Sequence, residues 1–526
     1  MRKINLTREA FYPNKHNIGQ RVINGVAWQF GLMGFRVIIT IVSTAILAKI
    51  LTPDDYGLVT MSMLTTEMAG LLANLGFGQI IVQKQRLSRL DLDSVFWLSA
   101  LMGVGLFLIT GLISYPVAWF YERPELIGIL WVSGINFIFR ELFVIPNAIL
   151  HRLLLFKAES FIIISQLILR TIFAIYFAWL GYGYWSLVLG PLLAGFIEIV
   201  ISSFYVGYVP RLKFNRAFIM RNWRMNGSYL GSGILNYIMS NLDYIIVGRR
   251  FGSEQLGYYQ IAYALPDELR NRLSGPLQRV LFPAFSLLQD DLAAFRQGVA
   301  RSQRLLSVIV LPIGAGLALT AENIVKILYG EQWLPVIPLL QILAINGALR
   351  TMFSLVGSIY YARGRPDLAF KITLCLFPFI VLCIYAGSLW GVQGVAWAML
   401  LVMLPCFYTL VFAMRLIDAS VWLFYQACLP AFNAVLFMSL SVWFASNSAI
   451  WINYININVA PEAMINLFLE YSRWYGGLAI AYQLTFQVII GCMSYISFLN
   501  LLYHSTFMEL VNISLKLRKK KHVIYH

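Results

Sequence analysis

Charge is what this chain is short of. Only 12% of its 526 residues are Asp, Glu, Lys or Arg, against 59% hydrophobic. A soluble globular chain is about a quarter charged, so soluble enzymes, disordered chains and fibrous repeats are excluded. Cysteine is scarce: Cys375, Cys383, Cys406, Cys428 and Cys492 all lie in apolar runs, and none forms a C-x-x-C pair. They read as small buried apolar side chains rather than disulfides or metal ligands. The histidines, His16, His151, His504, His522 and His526, sit near ends or in loops without metal-ligand spacing. No G-x-x-x-x-G-K-[ST] loop is present, which excludes a built-in ATPase. The first twenty-one residues are polar and the apolar run behind them is too long for a signal-peptide core, so no cleavable leader is expected. Asp91-Leu92-Asp93 has the D-x-D form that glycosyltransferases use to hold a metal. At the head of an apolar run it reads instead as a solvated helix cap. No catalytic group, metal or cofactor is expected.

What the chain has in plenty is long apolar runs, and its mean hydropathy is +0.72. A spanning helix needs about 20 mostly apolar residues. Fourteen segments qualify: 22–48, 56–82, 94–120, 125–149, 160–181, 184–207, 225–248, 256–282, 303–320, 334–360, 368–389, 391–414, 423–446 and 476–502. The chain is therefore read as an all-α integral membrane protein of about fourteen transmembrane helices. Its formal net charge of +16 would suggest nucleic acid on a soluble domain. Here it records topology. With the N-terminus placed in the cytoplasm, thirty of the 40 basic residues fall on the cytoplasmic side, six outside and four within spans. That split follows the positive-inside rule, sets both termini in the cytoplasm and points to a bacterial inner membrane, with lipids and not nucleic acid as surroundings.

An internal repeat follows. At an offset of 210, Leu130–Phe143 matches Leu340–Phe353 in five of fourteen positions, among them Asn136/Asn346 and Arg140/Arg350. At an offset of 200, Lys49 matches Arg249, Asp54 matches Glu254, Gly57 matches Gly257, and Glu67 matches Asp267. The offset spans six helices, so the copies share one orientation, as in parallel repeats about an axis along the membrane normal. The expected layout is a cytoplasmic N-tail (1–21), a six-helix N-lobe (22–207) and a basic linker (208–224). A six-helix C-lobe (225–415), two extra helices (416–510) and a basic tail (511–526) complete it, the lobes being related by a pseudo-two-fold axis.

Eight ionisable residues sit well inside spans: Arg36, Glu67, Arg140, Glu141, Arg170, Glu198, Asp243 and Arg350. Each costs about 2.5–3.5 kcal/mol at a helix centre, so such residues face a wet cavity or pair with one another. Polar neighbours share their faces at helical spacing: Gln29, Arg36, Thr40 and Ser43 on the first helix; Thr60, Glu67 and Asn74 on the second; Asn136, Arg140 and Asn147 on the fourth; Ser232, Asn236, Ser240 and Asp243 on the seventh; Asn346, Arg350 and Ser354 on the tenth. Candidate cavity residues are Arg36, Arg140, Arg350, Arg170, Gln29, Asn136, Asn236 and Asn346. Glu67, Asp243 and Glu198 are candidates for coupling to an ion gradient. Against this stands a structural reading, in which the charges are ion pairs that hold helices together. Four arginines face four acids, so the membrane interior carries no net positive charge.

Two passages carry a family resemblance. The A-x-x-L-T-P-x-D-Y-G run at Ala48–Gly57 and the G-F-G-x-x-I/V-x-Q run at Gly76–Gln83, with Ile145–Lys157 and Pro276–Asp291, are similar to Wzx-type polysaccharide flippases. These form the polysaccharide transporter branch of the multidrug/oligosaccharidyl-lipid/polysaccharide exporter superfamily, and the colanic-acid-exporter subgroup is the most similar. The resemblance covers residues 18–415. It implies alternating access between two six-helix lobes and a lipid-linked oligosaccharide substrate, usually on undecaprenyl pyrophosphate. Exopolysaccharide, capsule or O-antigen synthesis, with polymerase and glycosyltransferase partners and a monomeric exporter, would follow. A pyrophosphate suits arginine. Two rival readings differ. An ion-coupled multidrug or cation antiporter of the toxin-extrusion branch would favour acids in the cavity. A polytopic polymerase or ligase would need a large outer loop with catalytic residues, and residues 447–475 offer only Arg473, Glu462 and Glu470 as charged groups.

Overall fold

In lipid an apolar run can satisfy its own backbone N–H and C=O groups only by coiling into a helix or closing a barrel. The computed structural model describes residues 18–73, 77–84, 87–215, 228–446 and 480–512, and among them every regular element is a helix. In chain order these are α1 (Ile18–Ile50), α2 (Pro53–Ala73), α3 (Phe77–Gln83), α4 (Arg89–Tyr121), α5 (Glu125–Arg152), α6 (Phe156–Trp179), α7 (Trp185–Val206) and α8 (Ser228–Leu287). There follow α9 (Leu292–Leu319), α10 (Ala321–Leu328), α11 (Val336–Ala362), α12 (Pro366–Gly387), α13 (Gly391–Leu401), α14 (Met403–Arg415), α15 (Val421–Ser446) and α16 (Ile480–Leu502). Ten segments among the described residues are long and apolar enough to cross a membrane, one of them the continuous stretch Pro366–Arg415. The protein is an all-α, multi-pass membrane protein. Residues 1–17 of the expected N-tail, the second half of the basic linker and residues 513–526 of the C-terminal tail lie outside the described residues, as does Asn74; residues 18–21 already belong to α1.

Local sequence explains where the helices begin. At α2, Thr52 is the N-cap, Pro53 takes the first helical position and Asp55 returns to the cap. The Thr52 backbone N–H donates to Asp55 Oδ2 at 2.9 Å, and the Asp55 N–H donates to Thr52 Oγ1 at 3.3 Å. The L-T-P-x-D passage is thus a capping box with proline where its missing N–H costs nothing. Ser88 and Asp91 form the same box at α4, and Asp291 caps α9.

One break is decisive. Within α8, Gly252 adopts φ 82° and ψ −178°, a backbone region open essentially to glycine alone. Sixteen residues along an unbroken helix would separate its ends by about 24 Å. Yet the Tyr259 hydroxyl donates to Asp243 Oδ2 at 2.9 Å, and the Tyr244 and Tyr259 rings meet edge to face at 5.3 Å. Residues 228–251 and 253–287 are therefore two arms, and the chain doubles back at Gly252 so that residues 243–251 pack on 253–259 as a local hairpin.

The chain divides into two compact units, Met1–Gln260 and Ile261–His526, with the boundary inside the second arm of α8. In the first, α4 and α5 form a close seam: a Cβ on Gly103 would lie 3.0 Å from the Phe137 carbonyl oxygen, and Gly111 packs under the Trp131 ring. The α6–α7 seam closes where Gly190 meets Ala174. In the second unit, Gly314 on α9 abuts Ala344 and Ala348 on α11, and Gly387 meets Gly394 and Ala398 along α12–α13. Small residues let backbones approach where lipid offers no hydrophobic drive between helices. The extra helices α15 and α16 are tied in by polar contacts: Tyr495 to the Val308 carbonyl (2.9 Å), Asn323 to Gln487 (3.0 Å) and Gln487 to Ser446 (2.9 Å).

The cysteines are free, but only Cys428 is buried; Cys375 and Cys492 lie on exposed faces of α12 and α16. The buried reading is corrected for those two, because the outer face of a lipid-exposed helix is as apolar as a core.

Candidate functional site

Three of the expected residues converge. α2, α5 and α7 enclose a cavity of about 220 Å³ lined by Ser62, Thr66 and Glu67 of α2, Ser133, Asn136 and Arg140 of α5, and an apolar wall that includes Phe137, Val188 and Pro191. The α5 residues are spaced three and four apart, which sets them on one helix face. The Arg140 guanidinium also reaches α2: a Cβ on Gly70 would lie 3.5 Å from Nη1. Tyr237, from the first arm of α8, places its Oη 2.9 Å from the Leu64 carbonyl and 3.3 Å from Glu67 Oε2, so its one proton is shared between two acceptors. Ser62, Thr66, Ser133 and Tyr237 were missed from sequence. Ser133 sits at i−3 from Asn136, a same-face spacing that could have found it; Ser62 and Thr66 lie four apart on one face of α2, but at i−5 and i−1 from Glu67, so helical spacing from that residue gave no signal for them.

The remaining candidates are dispersed. Arg36 is half-buried on α1, close enough to Glu198 on α7 for its charge to act on that carboxyl. Glu141 turns away from Arg140 and is buried against α4 beside Gly103 and Ser99. Arg170 is exposed on α6 and Asn236 on the first arm of α8. Asp243 is buried and accepts from Tyr259. In the second unit Asn346 is fully buried, with no hydrogen-bond partner among the described residues for either amide atom, and Arg350 lies near Cys406. The Gln29 side chain lies outside the described residues. Of the polar stripes, Thr60 turns its hydroxyl back to the Tyr56 carbonyl (2.7 Å) and Ser354 to that of Thr351 (2.6 Å), so neither points outward for a ligand.

A second constellation gathers where α1 ends and α2 begins. A Cβ on Gly57 would lie 1.7 Å from the Ser253 carbonyl oxygen, and one on Gly257 would lie 1.9 Å from that of Pro53. The contacts are reciprocal at an offset of 200, so two equivalent helix starts cross backbone to backbone. Arg123 clamps the crossing. It donates to both Asp54 carboxylate oxygens (2.9 and 2.7 Å) and to Ser253 Oγ (2.7 Å), while Arg249 pairs with Glu122 at 2.7 Å. Burial alone would raise the Asp54 carboxyl; hydrogen bonds from Arg123 and Ser253 outweigh it and hold Asp54 below the ordinary carboxylate range.

The D-x-D pair is structural. Asp91 closes the capping box and meets Lys84 at 2.7 Å. Asp93 accepts from the Tyr208 hydroxyl (2.7 Å) and the Arg211 N–H (3.2 Å). Both are buried rather than solvated, which corrects that part of the expectation. Among the described residues no three His, Cys, Asp or Glu side chains converge as a metal would need.

A family model described as polysaccharide biosynthesis protein matches residues 46–338. The lipopolysaccharide biosynthesis protein WzxC of Escherichia coli is 26% identical over 394 residues, 73% of this chain and 79% of that protein. The teichuronic acid biosynthesis protein TuaB of Bacillus subtilis is 28% identical over 367 residues, 67% of this chain and 74% of that one. Among solved structures, the lipid II flippase MurJ in an inward closed conformation superposes with a TM-score of 0.64 at 14% identity, over 91% of this chain and 99% of that chain. That likeness shows the fold, a helical transporter scaffold. The matched stretch includes the α2 capping box, the Gly57–Gly257 crossing and the α2–α5–α7 cavity, and it spans more than half of the sequence: the chain belongs to the polysaccharide biosynthesis protein family.

Proposed function

We propose that this protein is a flippase, a transporter rather than an enzyme, that carries isoprenoid-pyrophosphate-linked oligosaccharide repeat units across the bacterial inner membrane for polysaccharide biosynthesis. The family match carries the reading, and the scaffold shared with a lipid II flippase supports it. A charged glycan headgroup cannot cross about 30 Å of hydrocarbon unaided, so the protein must offer polar groups inside the membrane. In this reading Arg36, Arg140 and Arg350, with Arg170 as a fourth, engage the pyrophosphate or the sugars of the substrate, and Asn136 meets the saccharide. Gln29, Asn236 and Asn346 line the path, and Glu67, Asp243 and Glu198 couple movement to an ion gradient. Fourteen crossings place both termini in the cytoplasm. That count takes α2 with α3 as one span and the arms of α8 as two, and divides Pro366–Arg415. The exporter works as a monomer beside a polymerase and glycosyltransferases.

The test is deletion in the source bacterium. Lipid-linked repeat units accumulate in the inner leaflet, surface polymer is lost, and the wild-type gene restores it. Unchanged polymer in the deletion strain, with sensitivity to cationic drugs instead, would identify an antiporter. Export left intact by both Arg36→Ala and Arg350→Ala would overturn the arginine assignment.

A further inference from the structure

We infer that the cavity between α2, α5 and α7 is a subsite for a single uncharged pyranose ring of the repeat unit; this rests on the flippase reading above. The size sets the scale. At about 30 Å³ per water, 220 Å³ holds some seven waters' worth of guest. Sites for drug-sized ligands run from about 300 to 1,000 Å³. A lone ring is accommodated within the cavity.

The lining sets the chemistry. Glu67 supplies acceptors, Arg140 donors, and Ser62, Ser133 and Asn136 can do both. One carboxylate and one guanidinium cancel formally, so the cavity has no net charge with which to select an anion or a cation. Alternating donors and acceptors beside an apolar wall of Phe137, Val188 and Pro191 complement a ring with hydroxyls around its rim and C–H bonds on its face. Glu67 stands where α2 and α8 meet, with Tyr237 Oη at 3.3 Å, so its carboxylate is oriented by a group outside the cavity. A hydroxyl pair on the sugar donating to Glu67 and accepting from Arg140 would bridge α2 to α5. Tyr237 is a positioning residue in this scheme.

The test uses the full chain in lipid nanodiscs and saturation-transfer NMR. The probes are methyl pyranosides of each sugar in the host's own repeat unit and the methyl glycoside of a uronic acid with its carboxylate free, with inorganic pyrophosphate, which has no C–H protons to observe, added as a competitor. One neutral pyranoside should give transfer that Ser133→Trp, which fills the cavity, abolishes and that Glu67→Gln weakens at least tenfold. Tyr237→Phe should weaken it less, and melting curves report folding. If Ser133→Trp fails to fold, the isosteric Glu67→Gln decides. Equal transfer in wild type and Glu67→Gln, transfer from the uronic acid glycoside alone, or displacement of the pyranoside by pyrophosphate overturns the subsite. A deletion strain that loses polymer while Ser133→Trp exports and binds like wild type sinks the subsite and leaves the flippase standing. Sugar binding in a protein whose deletion leaves polymer unchanged does the reverse.

Discussion

Arg123 shows how much one side chain can organise. Its fork grips both oxygens of Asp54 and reaches Ser253, so three segments meet at one guanidinium. Replacing it with alanine should lower stability by about 1 kcal/mol, the scale of a partly exposed ion pair with good geometry, read as a fall in melting temperature. The pH dependence has a definite sign. Asp54 has a depressed carboxyl in the folded state, so its contribution is present above its unfolded value of about 4 and is lost as pH falls through the folded one. The melting difference between wild type and Asp54→Asn should therefore be full at neutral pH and shrink in acid. An undiminished difference in acid would exclude this ionic tie. At this scale the sequence was informative where helical spacing did the sorting, as for Asn136 and Arg140. It was silent on Tyr237, which lies 170 residues from its partner Glu67, because no periodicity links side chains on separate helices.

At the scale of elements, glycine decides where helices turn and cross. Gly252 holds the α8 hairpin in a conformation other residues reach only at about 1–3 kcal/mol. Gly252→Ala should lower the melting temperature, whereas alanine at Gly105, where a Cβ meets open space within α4, should not. Gly57→Val forces the crossing apart, since even a methyl would overlap the Ser253 backbone. The buried D-x-D gives a different prediction. Asp93 and Ser94 hold Tyr208, Arg211 and Asn215, and Trp97 Nε1 donates to the Arg211 carbonyl at 2.8 Å. Asp93→Ala should speed amide hydrogen exchange across residues 208–215 and leave the rest of α4 protected. Uniform exchange in both proteins would mean that the clamp is not what orders this strand of linker.

For the whole molecule, the basic residues predict a topology. Thirty on one side and six on the other imply that Lys49, Arg123 and Arg250 face outward while Arg211 and Lys213 face the cytoplasm. In a chain freed of its own cysteines, Cys at position 49 or 250 should react with a membrane-impermeant maleimide in intact cells. Cys at position 213 should react only after lysis. Labelling at 213 in intact cells would invert the orientation. The last two helices should behave as part of the second unit. Arg301 pairs with Glu509, and Tyr503 receives Asn433 Nδ2 at 2.6 Å, so removing residues beyond 446 exposes polar groups on α9, α10 and α15 that lipid cannot satisfy.

Composition and hydropathy alone determined that the chain is helical and membrane-embedded, because lipid leaves apolar backbone few other options. Motif and spacing carried the family and the capping of α2, since both are properties of contiguous residues. The offset of 200 that pairs Gly57 with Gly257 in the sequence also relates their two backbone contacts, Gly57 with Ser253 and Gly257 with Pro53. Only tertiary structure decided which intramembrane charges share a cavity. Glu67 and Arg140 came together, Arg36 found Glu198, and Glu141 turned into a helix seam. A charge in a span is costly wherever it lies, so sequence can mark all eight as needing a partner. Which partner each one finds depends on helix rotation and packing, and these are set by small residues at seams far away in the chain.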